Sequence, residues 1–391
     1  RAGGELAFDE LDESLSVPHS RALQRIKSPV RHKDPYHSGW ECREVPRREA
    51  CRVMYNRVTK SGSQTLIYII NALRKVNGFK FEESSLVYQR VLSGNTQRIF
   101  AHHFNSDHDC NTLYTRPIRY FDFIEAGEST APTWINMIRN PIRKAVSGFY
   151  RNREHWDETV PRLFDKCVRA ALRDGPASPS AKACLRPFIQ IPYFCGHDPA
   201  CKVGAEQLVG MDNTTRREHM QRAREAAEKH VVEKYLVVGF VENIHKFVEV
   251  LEILLPMYFS GARRLYKERV VPELDKVMTQ TKEFPQPTPA TVSLLEDYYA
   301  EEMAFYEFVK TNFYQMAKQC GVYTPKKAKK PKTQHPPPPA AAPTMPRTAF
   351  EAAVEEAIAR NLTVSRTRGV TNFKPPPPPP GKPGAPILRP I

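Results

Sequence analysis

No apolar run in this chain of 391 residues approaches the roughly 18 needed to cross a bilayer; Leu66–Leu73 and Leu251–Phe259 are far shorter and read as core. Zinc-finger spacing and RNA-recognition signatures are also missing, so nothing beyond charge supports a nucleic-acid partner. The triphosphatase loop, GxxxxGK followed by Ser or Thr, is absent too, because the lysine of the clearest strand-to-helix turn precedes its glycine. A metal centre at Cys195–Cys201 lacks a second ligand pair, and a short disulfide loop fits that spacing better.

What charge there is leans basic. The net charge is +15, but residues 324–391 hold 12 Lys or Arg against 3 Glu, so the tail carries most of the excess. A balance of this kind suits any polyanion, whether nucleic acid, acidic membrane or sulfated glycan. The same tail contains 17 of the 35 prolines, including runs at 336–339 and 375–380, and reads as disordered with polyproline segments. Arg347–Asn361 is the one stretch of it patterned for a short amphipathic helix. Residues 1–50 read as a stem or linker, 51–323 as the globular domain, and 324–391 as the tail.

The most informative segment is Arg52–Leu73, RVMYNRVTKSGSQTLIYIINAL. Val53, Met54, Tyr55 and Val58 suit a buried strand, and Leu66, Ile67, Ile70 and Leu73 recur at helical spacing, predicting a helix from about Ser63. Free N–H groups at that helix start, with Lys60 beside them and the residues Ser61, Gly62, Ser63, Gln64 and Thr65 around them, make a cradle for an anion. An ordinary Gly-Ser turn with a solvated lysine is the plainer alternative. Thr133–Arg153 repeats the pattern: a strand through Trp134, Ile135, Met137 and Ile138, a cap at Asn140, Pro141 in the first helical turn, and a basic helix. Arg139 at the strand end and Ser147 two turns later suit a second phosphate; a solvated basic face is the alternative there. Tyr235–Val241 reads as a further strand, followed by a helix presenting Ile244, Phe247, Val248, Leu251 and Leu255 on one face. Leu294–Cys320 reads as one long closing helix with a core-facing aromatic stripe. Alternating strands and helices with anion-binding turns predict an α/β fold, one domain with a central parallel sheet flanked by helices.

YNRVTKSGSQT and INMIRNPIRKAVSGFY resemble the 5′-phosphosulfate loop and the 3′-phosphate element of Golgi sulfotransferases that use 3′-phosphoadenosine 5′-phosphosulfate (PAPS). The closer similarity is to the uronosyl 2-O-sulfotransferases of heparan, dermatan and chondroitin sulfate, with the Pipe-like members. YTRPIRYFDF at Tyr114–Phe123, IQIPYFCGHDPAC at Ile189–Cys201 and YLVVGFVENIHKFVEVLEILLPMYF at Tyr235–Phe259 follow in the same order. The resemblance implies PAPS as cofactor and no metal, with a P-loop-like sheet and a glycosaminoglycan acceptor sulfated at the 2-position of its uronic acid. It implies Lys60 at the bridging oxygen, Arg57 facing the acceptor, and Arg139 with Ser147 on the 3′-phosphate. It also implies the disulfides Cys167–Cys184 and Cys195–Cys201, with Cys42–Cys51 as a remaining guess. A Golgi lumenal location follows by the same route, on an N-terminal membrane anchor expected ahead of Arg1. Disulfides suit an oxidising lumen, and the sequons at Asn213 and Asn361 agree with glycosylation there. Self-association is left open.

One departure stands out. The family places a base histidine in a motif like YTRHIHF, whereas here proline occupies that position as Pro117 and Arg119 replaces the next histidine. His103, with His102 and His108 as neighbours, is the candidate replacement; Glu125, His155 and a water route are others. The remaining alternative is a protein that keeps the nucleotide and glycan grooves without catalysis.

Overall fold

The computed structural model describes residues 42–84, 89–152, 158–175, 178–185, 190–201, 213–272 and 285–322. Five strands, β1 (Arg52–Tyr55), β2 (Lys80–Glu83), β3 (Thr112–Thr115), β4 (Thr133–Ile138) and β5 (Tyr235–Phe240), form one sheet in the order β2-β3-β1-β4-β5. Every pairing is parallel. All six residues of β4 and all six of β5 are buried, as near-continuous apolar strands are when helices cover both faces of a parallel sheet.

Ten helices matter for the argument: α1 (Ser63–Val76), α2 (Gly94–Asp107), α3 (Pro141–Asn152), α4 (Phe164–Asp174), α5 (Pro179–Cys184), α6 (Ile191–Cys195), α7 (Asn213–Glu233), α8 (Ile244–Leu254), α9 (Pro289–Tyr298) and α10 (Ala300–Gln319). They flank the sheet: Gly239 of β5 lies hard against Phe247 of α8, Tyr235 packs on Phe194 of α6 at 5.2 Å, and Phe240 on Phe313 of α10 at 5.6 Å. A smaller apolar cluster, including Phe149, Phe164, Val168, Leu295 and Tyr299, sits beneath α3, α4, α5 and α9.

The expected elements form, with shifts at their ends. Strand β1 stops at Tyr55 and not at Val58, because the Arg57 N–H turns back to the Tyr55 carbonyl at 3.0 Å. The predicted single helix Leu294–Cys320 is two helices, with Tyr299 between them in a non-helical conformation. The physical reason is that the halves serve different cores: Leu295 and Tyr299 pack in the smaller cluster, while Phe305, Tyr306, Val309 and Phe313 pack on the sheet. Tyr299 also donates its hydroxyl to the Leu185 carbonyl at 2.7 Å. The stripe is core, as its pattern predicts. Residues 42–50, expected with the stem, pack on the domain: Val45 is buried and its N–H reaches the Leu254 carbonyl at 2.9 Å. The tail, its candidate helix and the sequon at Asn361 lie outside the described residues, while Asn213 opens α7.

Cys167 pairs with Cys184 and Cys195 with Cys201, as the resemblance implies. The guess Cys42–Cys51 is overturned. Cys51 pairs with Cys110, Cα–Cα 4.5 Å, and Cys42 with Cys320, Cα–Cα 4.9 Å. Cys51 and Cys110 lead into β1 and β3, which are hydrogen-bonded neighbours, so strand order brings together residues that sequence spacing does not. Peptide mapping without reduction is expected to join Cys42 to Cys320 and Cys51 to Cys110. The double variant Cys42→Ser/Cys320→Ser, which reopens the longest closed loop, should lose about 2–5 kcal/mol in urea titration.

Candidate active site

The chain leaves β1 toward β2 and β3 on one side and later builds β4 and β5 on the other, so the C-terminal ends of β1 and β4 form the switch point where α/β sheets bind ligands. Both anion turns predicted from sequence open there.

The first turn is backbone-built. Lys60 and Gly62 both have left-handed φ, 63° and 71°, and Gly62 is the N-cap of α1. A Cβ on Gly62 would come within 2.7 Å of the Met137 Cε and 3.1 Å of the Val241 Cγ2, so glycine is needed for space as well as conformation. The Thr65 and Leu66 N–H groups fold back to the Gly62 carbonyl at 3.1 and 3.2 Å, leaving the earlier first-turn N–H groups toward the crevice. The hydroxyls that sequence suggested for the anion turn inward. Ser61 donates to the Gln190 Oε1 at 3.3 Å, and Ser63 donates to the Val58 carbonyl at 3.1 Å while accepting from the Tyr55 hydroxyl at 3.2 Å. Burial pushes the Tyr55 phenol up to about 12, so it remains a donor. Gln64 is exposed and Thr65 half-buried. Behind the turn, buried Asn56 donates its amide to Tyr235 at 2.8 Å and accepts from the Asn136 Nδ2 at 2.8 Å, fixing the exit from β1 to its neighbours.

The second turn is capped as expected: the Asn140 Oδ1 accepts from the Ile142 and Arg143 N–H groups, each at 3.1 Å. Glu242, following β5, accepts the Asn140 N–H at 3.1 Å and the Tyr306 hydroxyl at 3.1 Å.

Gln190 joins the turns. Its amide nitrogen donates to the Arg139 carbonyl at 2.7 Å, and its amide oxygen accepts from the Arg139 N–H at 2.9 Å as well as from Ser61. Gln190 is itself held by the fully buried Glu302 of α10, whose carboxylate accepts the Gln190 N–H at 2.8 Å and the Ile191 N–H at 3.0 Å. Lys144 of α3 is buried beside this group. Burial pushes the Glu302 carboxyl up and the Lys144 ammonium down, and the charge of each counters the shift of the other.

Cations gather where the two turns meet. The Arg139 Nη1 donates to the Lys60 carbonyl at 3.4 Å, and its buried Nε has no hydrogen-bond partner among the described residues. Burial holds the Lys60 ammonium below the ordinary lysine range, and the positive charges of Arg151 and Arg139 add to that. Burial likewise lowers Arg139, with Glu242 acting in the other direction. Ser147 is half-buried on α3, one turn before Arg151. Two helix starts, a mutually repelling cation cluster and an orphaned buried guanidinium N–H are what a ligand with phosphate at two places would satisfy. No group of acidic, His or Cys side chains suited to a metal occurs among the described residues.

The family model of the sulfotransferase family matches residues 47–309. The chain belongs to this family. It is 28% identical over 284 residues to uronyl 2-sulfotransferase of Homo sapiens, covering 69% of this chain and 64% of that protein. Heparan sulfate 2-O-sulfotransferase 1 of Gallus gallus is 29% identical over 278 residues, 67% of this chain and 70% of the relative. The Cricetulus griseus protein of the same name is 28% identical over 286 residues, 69% and 72%. The chain thus spans just under two thirds of the length of the uronyl 2-sulfotransferase it matches.

The sulfotransferase fold does not bring the candidate histidines to the turns. Arg52, the first residue of β1, donates to the Asn105 carbonyl at 3.0 Å and the His108 carbonyl at 2.6 Å, which pins the end of α2 at the sheet edge opposite the site. His103 is two thirds exposed there, beside Asp107, and His102 faces Glu128 at 3.3 Å. Both ring nitrogens of His108 are engaged, with the Phe104 carbonyl at 3.0 Å and Glu82 at 2.9 Å. Glu125 is exposed, and His155 lies outside the described residues. Pro117 is buried where the chain leaves β3, and Arg119 donates to the Cys201 carbonyl at 3.0 Å. Sequence reading missed Gln190, Glu302, Lys144, Glu242 and Arg151. Gln190 and Lys144 sit inside segments already matched to the family, but Lys144, like Glu302, looks like an ordinary surface charge until packing buries it.

Glu302→Ala strands two buried backbone donors and removes the negative charge that counters buried Lys144, and is expected to cost about 3–5 kcal/mol, read as a lower urea midpoint. Gln190→Ala should cost less, about 1–3 kcal/mol for the partners it leaves unsatisfied, in the same titration.

Proposed function

We propose that this chain is a sulfotransferase that takes its sulfuryl group from PAPS and delivers it to the 2-hydroxyl of a uronic acid in a glycosaminoglycan of the heparan, dermatan or chondroitin type. The observation that carries the reading is the pair of anion turns, joined by Gln190, with Lys60 and Arg139 drawn together and, among the described residues, no carboxylate in salt-bridge contact with either. Lys60, the first-turn N–H groups of α1 and the residues 61–65 would hold the 5′-phosphosulfate end, and Arg139 with Ser147 the 3′-phosphate. The nucleotide supplies an activated sulfuryl group and a phosphate leaving group. The chain supplies charge where charge develops: the Lys60 ammonium for the bridging oxygen, and backbone donors for the spread negative charge of the moving group. Arg57 orients groups on the acceptor side. Four disulfides support an oxidising lumen such as the Golgi, where a membrane anchor and glycans on Asn213 and Asn361 would belong.

The second reading is a binding protein without turnover, favoured by proline in the place of the base histidine. Transfer of labelled sulfate from PAPS to desulfated heparan and dermatan separates the two: incorporation at the 2-position supports the enzyme, and nucleotide binding without incorporation supports the binding protein.

Adenosine 3′,5′-bisphosphate should raise the melting temperature by mass action, and Lys60→Ala or Arg139→Ala should each weaken that shift. Its pH dependence has a definite sign. The free Lys60 ammonium has a lowered pKa, while a bound anion holds the proton on, so binding takes up a proton at pH values between the two. Affinity should therefore fall as pH rises through the lowered Lys60 value, and Lys60→Arg, whose guanidinium stays charged, should flatten that fall.

A further inference from the structure

The missing histidine leaves the acceptor side without a proton acceptor from β3, and the neighbouring strand provides one. Strand register sets Glu83, the last residue of β2, opposite Thr115 of β3, and Thr115 opposite Tyr55 of β1. The three strand ends therefore stand in a row at the edge where the first anion turn opens. Pro117 lies two residues beyond Thr115, so the vacated base position and Glu83 belong to adjacent strand ends about 5 Å apart in the sheet. The Glu83 Oε1 pairs with the Nη1 of Arg57, the residue expected to face the acceptor. Exposure makes the pair unequal: the Arg57 side chain is 10% exposed and that of Glu83 39%. The guanidinium is thus a buried anchor that holds a carboxylate still open to solvent.

Other acids near this edge are committed elsewhere. Glu242 accepts from Asn140 and Tyr306, and Glu82 faces His108. Glu302 is fully buried beneath Gln190. Among the described residues, Glu83 has Arg57 as its one polar side-chain partner.

We propose that Glu83 is the catalytic base of this chain, taking over on β2 the task that Pro117 has removed from β3. Resting on the sulfotransferase reading, the step balances as follows. The acceptor oxygen forms the new O–S bond, and its proton passes to the Glu83 carboxylate. The S–O bond to the nucleotide phosphate breaks with its electron pair on the phosphate oxygen, beside the Lys60 ammonium. Arg57 is a positioning residue for the carboxylate, and carboxylates serve as general bases when held within hydrogen-bond reach of the proton they remove.

The test uses the purified chain, adenosine 3′,5′-bisphosphate as the binding probe, and labelled PAPS with desulfated heparan and dermatan for turnover. Glu83→Gln keeps shape but not basicity, and is expected to lower kcat at least about 100-fold. The melting temperature, the bisphosphate affinity and the acceptor KM should stay within about twofold or a few degrees of the parent. Glu83→Ala should recover part of its kcat when formate is added, which replaces the carboxylate and not the side-chain tether. A parent chain that fails to bind the bisphosphate would sink the sulfotransferase reading itself. If the parent binds nucleotide but transfers no sulfate, or if Glu83→Gln keeps more than about half of the parent kcat, Glu83 is not the base. Loss of nucleotide affinity in Glu83→Gln in step with kcat would mark it as structural and overturn the proposal in the same way.

Discussion

A carboxylate taken out of water and tied to two backbone N–H groups holds this site in register. Glu302 fixes the start of α6, and Gln190 then reaches both to the backbone of Arg139 and to the hydroxyl of Ser61. Without it the turns after β1 and β4 would be connected mainly through the sheet, and each would set its own position. With it, the distance between two anion-binding points becomes a property of the core. Such an arrangement tolerates little relaxation, because every donor it satisfies is buried and would otherwise be stranded. The cost of burying charge is met by the placement of Lys144 on α3, which answers Glu302 from the helix that the second turn begins.

The cation cluster shows the opposite economy. Lys60 lies under the positive charges of Arg151 and Arg139, and burial adds to the cost for both Lys60 and Arg139. A fold meant only to be stable would place carboxylates there. Leaving the repulsion at Lys60 in place stores affinity for an incoming anion, since the ligand removes an unfavourable interaction as well as adding favourable ones.

Much of this was legible in the sequence because it depends on local chemistry. The start of α1 at Ser63, the cap at Asn140 and the span of β5 follow from small residues, a proline and apolar periodicity, all read within a few positions. What depends on which strands become neighbours was not legible. Cys51 meets Cys110 because β1 pairs with β3, and Tyr299 interrupts a helical pattern because the two halves of that pattern serve different cores. The same limit applies to the site. Gln190, Glu302 and Lys144 come from three distant segments, and their residue types signal nothing until the chain is folded. The histidines erred in the other direction: a cluster on α2 looked suggestive by composition, yet α2 runs away from the crevice and delivers them to the far edge of the sheet.

The Cys42–Cys320 bond fixes where the domain can be held. Strand β5 ends at the crevice and α8 returns from it, so Leu254, and with it Val45, lies at the opposite edge. Cys42 and Cys320 stand with their Cα atoms 4.9 Å apart. The described domain therefore begins and ends at a single covalently closed point. A tether on either side of the domain pulls from the same point, and load applied between the two ends passes across one sulfur–sulfur bond without reaching the strands.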